Sequence, residues 1–101
     1  MDNTLEEKLE VIEKAKRDLI KIREINYPKI HDTKKERGGT KTDIYNRLDT
    51  TRNCYSEIHK GTQTFINTVH PVLKTLNWEN NKDIFKDVEK FLNADIKGAK
   101  F

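Results

Sequence analysis

Residues 44–76 read IYNRLDTTRNCYSEIHKGTQTFINTVHPVLKTL. Within them Ile44, Leu48, Thr51, Tyr55, Ile58, Thr62, Phe65, Val69, Val72 and Leu76 recur in alternating steps of four and three. That spacing keeps one side of an α-helix turned toward a neighbour for about nine turns. A strand would alternate every second residue, and this stretch does not. The fold is therefore expected to be built from helices that pack along their length.

Working outward, Thr40 with Asp43 has the spacing of an N-terminal cap for this helix. Gly61 weakens it locally, by about 1 kcal/mol relative to Ala. Pro71 is expected to kink it, but the apolar spacing runs on to Leu76, so a helix over 42–76 is predicted. Upstream, residues 34–41 hold Gly38-Gly39 among charged and polar residues with no apolar side chain, the composition of an exposed loop. Before the loop, Leu5, Leu9, Ile12, Ala15, Leu19, Ile22 and Ile25 mark one helical face, opened by Thr4 and Glu7 at capping-box spacing. Glu10 with Lys14 and Glu13 with Arg17 are i,i+4 pairs in the favourable order. This first helix is predicted over 4–33, kinked at Pro28, which lacks an N–H and crowds the carbonyl four residues back. Downstream, residues 77–82 form a second polar break containing Trp78. Ile84, Phe85, Val88, Phe91, Leu92 and Ile96 then mark a short amphipathic helix over 83–96. The chain reads as a single all-α domain over 1–101. It is an antiparallel helical hairpin with a third, shorter C-terminal helix, because a short connection favours antiparallel neighbours.

Composition bounds the function. Of 101 residues, 34% are apolar and 37% charged, with a mean hydropathy of −0.92. So polar a chain folds only where its few apolar residues are well placed, and it gains from burial supplied by a partner. Twenty Lys and Arg against 17 Asp and Glu give +3, and the charges are mostly interleaved, as on solvated helix faces. The acidic N-terminus lacks the apolar core of a secretory signal, and no segment has the roughly 20 apolar residues of a membrane span. With Cys54 as the single cysteine, no internal disulfide forms, which favours a reducing compartment. A cytoplasmic protein without a membrane association is expected.

Catalytic signatures are scarce. His31, His59 and His70 are far apart, the latter two by about 16 Å along one helix, so no metal site is expected. No cofactor motif is present, and Gly38-Gly39 lacks the strand and the Gly-Lys-Ser/Thr of a phosphate loop. One constellation has chemical content. Arg52-Asn53-Cys54-Tyr55-Ser56-Glu57-Ile58-His59 puts Arg52 and His59 on one side of a helix, about 10 Å apart along it. A histidine can exchange protons near neutral pH, and an arginine can stabilise the charge that develops on a phosphorane. The segment resembles the arginine–six residues–histidine motif of the HEPN ribonuclease superfamily. These are all-α proteins in which two motifs meet across a dimer. The resemblance covers eight residues. It implies a metal-independent ribonuclease with Arg52 and His59 as the catalytic pair and Asn53 in support. The chain departs from that family in being short and in lacking a fourth long helix. The other reading is that both side chains flank the core with their heads in water.

Two surface features suggest contacts. Lys34, Lys35, Arg37 and Lys41 cluster about the Gly-Gly loop as a basic tip able to meet phosphates or an acidic surface. No aromatic lies there to stack a base. Tyr45, Ile66 and Leu73 flank the stripe. Trp78, Phe85, Phe91 and Phe101 gather toward the C-terminus, where they either close the bundle or anchor a partner. Tyr45, Ile66, Leu73 and Trp78 are the candidate partner-binding residues. The expected function is a small non-catalytic helical interaction module, regulatory or inhibitory, acting on a protein partner or as a homodimer. A HEPN-like ribonuclease is the first alternative, and nucleic-acid binding through loop 34–41 the second.

Overall fold

The computed structural model describes the backbone of residues 4–96 and the side chains of residues 4–94. It contains three helices and, among the described residues, no strand: α1 over Leu5–Lys35, α2 over Lys41–Leu73 and α3 over Lys82–Ile96. α1 and α2 form the antiparallel hairpin, and α3 lies against its open end. The molecule is elongated, 59 × 24 × 15 Å.

Both long helices run through their prolines. α1 passes Pro28 and ends two residues beyond the predicted boundary, at Lys35, where Glu36 turns extended. α2 passes Pro71 but ends at Leu73, three residues short of Leu76. Its last bonds tighten from Thr75 N–H to the Val72 carbonyl and from Leu76 N–H to the Leu73 carbonyl, the i→i+3 pattern of a closing turn. The connection between the long helices is therefore only residues 36–40. Gly38 and Gly39, at φ 73° and 96°, reverse the chain there in a conformation that other residues adopt at a cost. Asparagines shape the second connection: the Asn77 side chain accepts from Asn80 N–H, and the Asn81 carbonyl receives Ile84 N–H.

Thr40 and Asp43 complete a capping box at the start of α2. Asp43 N–H donates to Thr40 Oγ1 at 3.2 Å, and Thr40 N–H to Asp43 Oδ2 at 3.0 Å. Hydrogen bonds from the Thr40 backbone and then from its hydroxyl, with help from the Arg47 charge, hold the Asp43 carboxyl below its ordinary value.

The core follows the same phase on both helices. α1 buries Ile12, Ala15, Leu19, Asn26 and Ile30; α2 buries Cys54, Ile58, Gly61, Phe65 and Val69. Val88 adds the contribution of α3, with Ile84, Phe91 and Leu92 half-buried around it. The side chain of Ile96, and Phe101, lie outside the described residues. Gly61 is the close-approach point of the hairpin. A β-carbon there would lie 2.7 Å from Ile22 Cδ1 and 3.2 Å from Leu19 Cδ1. Asn26 interrupts the apolar face between two core clusters, its amide nitrogen donating to the Ile22 carbonyl on its own helix.

Part of the stripe that indicated the fold faces solvent. Ile58, Phe65 and Val69 are buried as expected, but Ile44, Leu48 and Tyr55 are 43%, 54% and 46% exposed. On α1, Leu5 and Ile25 are also exposed. The reason is geometric: a strict seven-residue repeat drifts by about 20° per heptad around a straight helix of 3.6 residues per turn. With Phe65 and Val69 facing α1, the early members of the stripe have rotated out, and Cys54 takes the inward place beside Tyr55.

Phe65→Ala is expected to destabilise the fold by about 3 kcal/mol or more. Leu48→Ala should cost less than about 0.5 kcal/mol, as a surface change does; paired urea titrations measure both. The cap gives a pH test. A carboxyl whose pKa is depressed by folding stabilises above its unfolded value and stops doing so as pH falls through the lower, folded value. The melting temperatures of the native chain and of Asp43→Asn should therefore differ at neutral pH and converge as the pH is taken below about 4.

Candidate interaction surface

At about 100° per residue, Ile44, Leu48, Tyr55, Thr62, Ile66 and Leu73 form one lateral row on α2, beside the buried row. The fate of this row divides along its length. Ile66 and Leu73 are half-buried and face α3, lining an apolar cavity of about 130 Å³ with Phe65, Val69, Val88 and Leu92. Ile44, Leu48 and Tyr55 belong to the half nearer the loop and are exposed. α3 has 15 residues, about 22 Å, whereas α2 has 33, about 50 Å. The third helix is too short to cover both halves.

The covered half shows what this flank of the hairpin holds. The Lys16 ammonium on α1 bridges Glu13 on its own helix and Asp87 on α3. Its side chain is only 12% exposed. Burial alone would lower its pKa, but the hydrogen bond to Asp87 and its charge, with Glu13, outweigh that and raise it. The Phe91 ring of α3 stacks at a tilt on Phe65, centroids 5.0 Å apart, beneath the Arg23 guanidinium at 4.4 Å. Arg23 also donates to the Phe91 carbonyl. α3 is thus seated by an apolar row, an aromatic under a cation, and a carboxylate on a lysine.

The open half repeats part of that arrangement without a covering helix. Lys34, in the last turn of α1, reaches across to Tyr55, with Nζ 3.3 Å from the hydroxyl and 5.8 Å from the ring centroid. The exposed aliphatic residues Ile44 and Leu48 follow toward the loop. Sequence reasoning assigned all three α2 residues to the core seam and so missed them as a surface. The drift of a 3.5-residue repeat on a straight helix is the signal that could have found them.

The four candidate partner-binding residues do not share one patch. Tyr45 is 64% exposed in the second turn of α2, and Ile66 and Leu73 are half-covered by α3. Trp78 lies past the other end of α2, half-exposed, with its ring edge-to-face with Phe85. Of the basic loop, only Arg37 is in the connection. Lys34 and Lys35 belong to the last turn of α1 and Lys41 to the first residue of α2, because both helices extend further into the segment than its composition indicates. Arg47 closes the tip by donating to the Gly38 carbonyl at 2.6 Å.

Arg52 and His59 are both exposed on α2. Arg52 Nη1 lies 3.9 Å from Asp49 Oδ1, in a pair that is largely solvated. Cys54 is buried. Among the described residues no group of three or more His, Cys, Asp or Glu side chains gathers as a metal site. No helix among them is long and apolar enough to cross a membrane. Comparison of the chain with protein-family models, with curated proteins and with solved structures finds no match.

The seat of α3 gives a direct test. Asp87→Asn should loosen α3 at a cost of about 1 kcal/mol or less, seen as faster amide exchange in α3 than in the middle of α2. A lysine whose pKa is raised by folding stabilises below its unfolded value and stops doing so as pH rises through the folded one. Native chain and variant should accordingly converge in alkali, above about pH 10.

Proposed function

We propose that this chain is a small, cytoplasmic, non-catalytic helical interaction module that regulates or inhibits a protein partner. The observation that supports this reading most directly is the exposed apolar row on α2, Ile44, Leu48 and Tyr55, with Tyr45 beside it. In a chain with 34% apolar residues, four large ones left in water within twelve positions are a cost that a partner would relieve. A second copy of the chain is the other occupant this reading allows. The lone, buried Cys54 suits a reducing compartment.

The ribonuclease alternative is supported by one placement: Arg52 and His59 are accessible on the same side of α2, as two motifs meeting across a dimer would require. Nucleic-acid binding by the basic tip is supported by Lys35, Arg37 and Lys41, which remain exposed around the connection.

A photoreactive side chain at position 48, expressed in the native host, tests the first reading. A discrete protein adduct is expected from position 48 and none from position 64, which is exposed elsewhere on α2. Equal labelling from both positions would contradict it. Metal-free cleavage of single-stranded RNA that His59→Ala abolishes would establish the ribonuclease instead.

A further inference from the structure

We infer that the open, loop-proximal half of the α2 row is the seat for an acidic amphipathic helix supplied by a partner protein. This rests on the interaction-module reading and gives it a surface and a ligand chemistry. Two observations choose this occupant.

The first is continuity with a seat already filled. The open row of Ile44, Leu48 and Tyr55 lies on the same lateral line of α2 as Ile66 and Leu73, on which α3 packs. It spans twelve residues, about 16 Å, or three turns of helix. On the filled half, a carboxylate of the incoming helix, Asp87, meets the α1 cation Lys16 beside an apolar row. On the open half, Lys34 stands over Tyr55 in the matching place, with its ammonium bonded only weakly to a phenol.

The second is charge. Relative to Leu48, Lys41 and Arg52 are rotated by only about 20° and 40° around α2, so they border the row. Of the carboxylates in this part of α2, Asp43 and Glu57 are rotated away by about 140° and 180°, and Asp49, about 100° away, meets Arg52 only loosely at 3.9 Å in a largely solvated pair. Asp43 is also committed to the capping box. On α1, Asp32 lies about 160° from Lys34, and Glu36, past the end of the helix, gathers with Asp43, Asn46 and Thr50 on the other flank of α2. The row is thus apolar along its centre and positive along both margins. A second copy of the chain would bring the same positive margins against these and be repelled. Residues 97–101 of the chain, Lys-Gly-Ala-Lys-Phe, contain two lysines and no carboxylate side chain. A helix with Leu or Phe on one side and Glu or Asp flanking it matches both the centre and the margins.

The test uses the full chain and two helical 18-residue probe peptides with the same Leu and Phe row, one flanked by Glu and the other by Lys. Fluorescence anisotropy should show the Glu peptide binding at least about tenfold more tightly than the Lys peptide, with an advantage that shrinks as salt is raised. Leu48→Glu should abolish binding of the Glu peptide, and Lys41→Glu with Arg52→Glu should invert the preference. Both variants change exposed positions, and melting temperatures within a few degrees of the native chain would show that the fold is kept. Amide shifts on adding the Glu peptide should centre on residues 44–55. Equal affinity for the two peptides, no binding of the Glu peptide, or shifts centred elsewhere would overturn the inference. So would a sedimenting dimer in which Leu48 is protected. A partner adduct obtained through another face, such as Trp78, would overturn this surface and leave the interaction-module reading standing.

Discussion

The mismatch in length between the hairpin and its third helix governs the rest of the molecule. Two helices packed side by side bury one stripe each and leave their flanks in water. A third helix of equal length would cover one flank completely. Here α3 is less than half as long as α2, so it can shield only one half of the row it packs on. The filled half has a core that includes Phe65, Val69 and Val88; among the described residues the other half buries Ile30, Cys54 and Ile58, with Ile22 and Tyr27 against them. The chain is well packed at one end and thin at the other, and the thin end is where apolar side chains reach solvent.

Gly61 sets how closely the hairpin can come together. With Leu19 and Ile22 seated against its Cα, α1 and α2 approach at mid-length, and the clusters on either side form around that contact. The residue that lowers intrinsic helix stability is the one that permits the closest packing. Substitution by Ala would recover about 1 kcal/mol of helix propensity while pressing the new methyl on the movable ends of Ile22 and Leu19. A branched residue there has no such room.

Much of this was legible in the sequence. The three helices, their order and the antiparallel hairpin follow from periodicity, the Gly-Gly connection and the caps at Thr4 and Thr40. The inward residues Ile12, Leu19, Ile58, Phe65 and Val69 follow from the same pattern. What was not legible is where the pattern stops facing the core. The apolar residues continue at heptad spacing past the point where a straight helix has turned them outward, so Leu48 and Tyr55 read as core, while Asn26, which is buried, did not. The third helix was legible, but its consequence for Ile66 and Leu73 was not, because which flank a short helix covers depends on pairs such as Lys16 with Asp87 that are 71 positions apart. The Arg52–His59 spacing was legible as a pattern. Its chemistry depends on what faces it, and a spacing within one helix does not specify that.

A single measurement on the unmodified chain bears most directly on this account: hydroxyl-radical footprinting read residue by residue in dilute solution. The account predicts strong labelling of Leu48 and Tyr55, weak labelling of Ile66 and Leu73 under α3, and protection of Phe65. Labelling of Leu48 and Tyr55 as weak as that of Phe65 would mean that the chain covers this row itself, and would contradict the account. Labelling of Ile66 and Leu73 as strong as that of Leu48 would contradict it from the other side, by showing that α3 does not hold its seat.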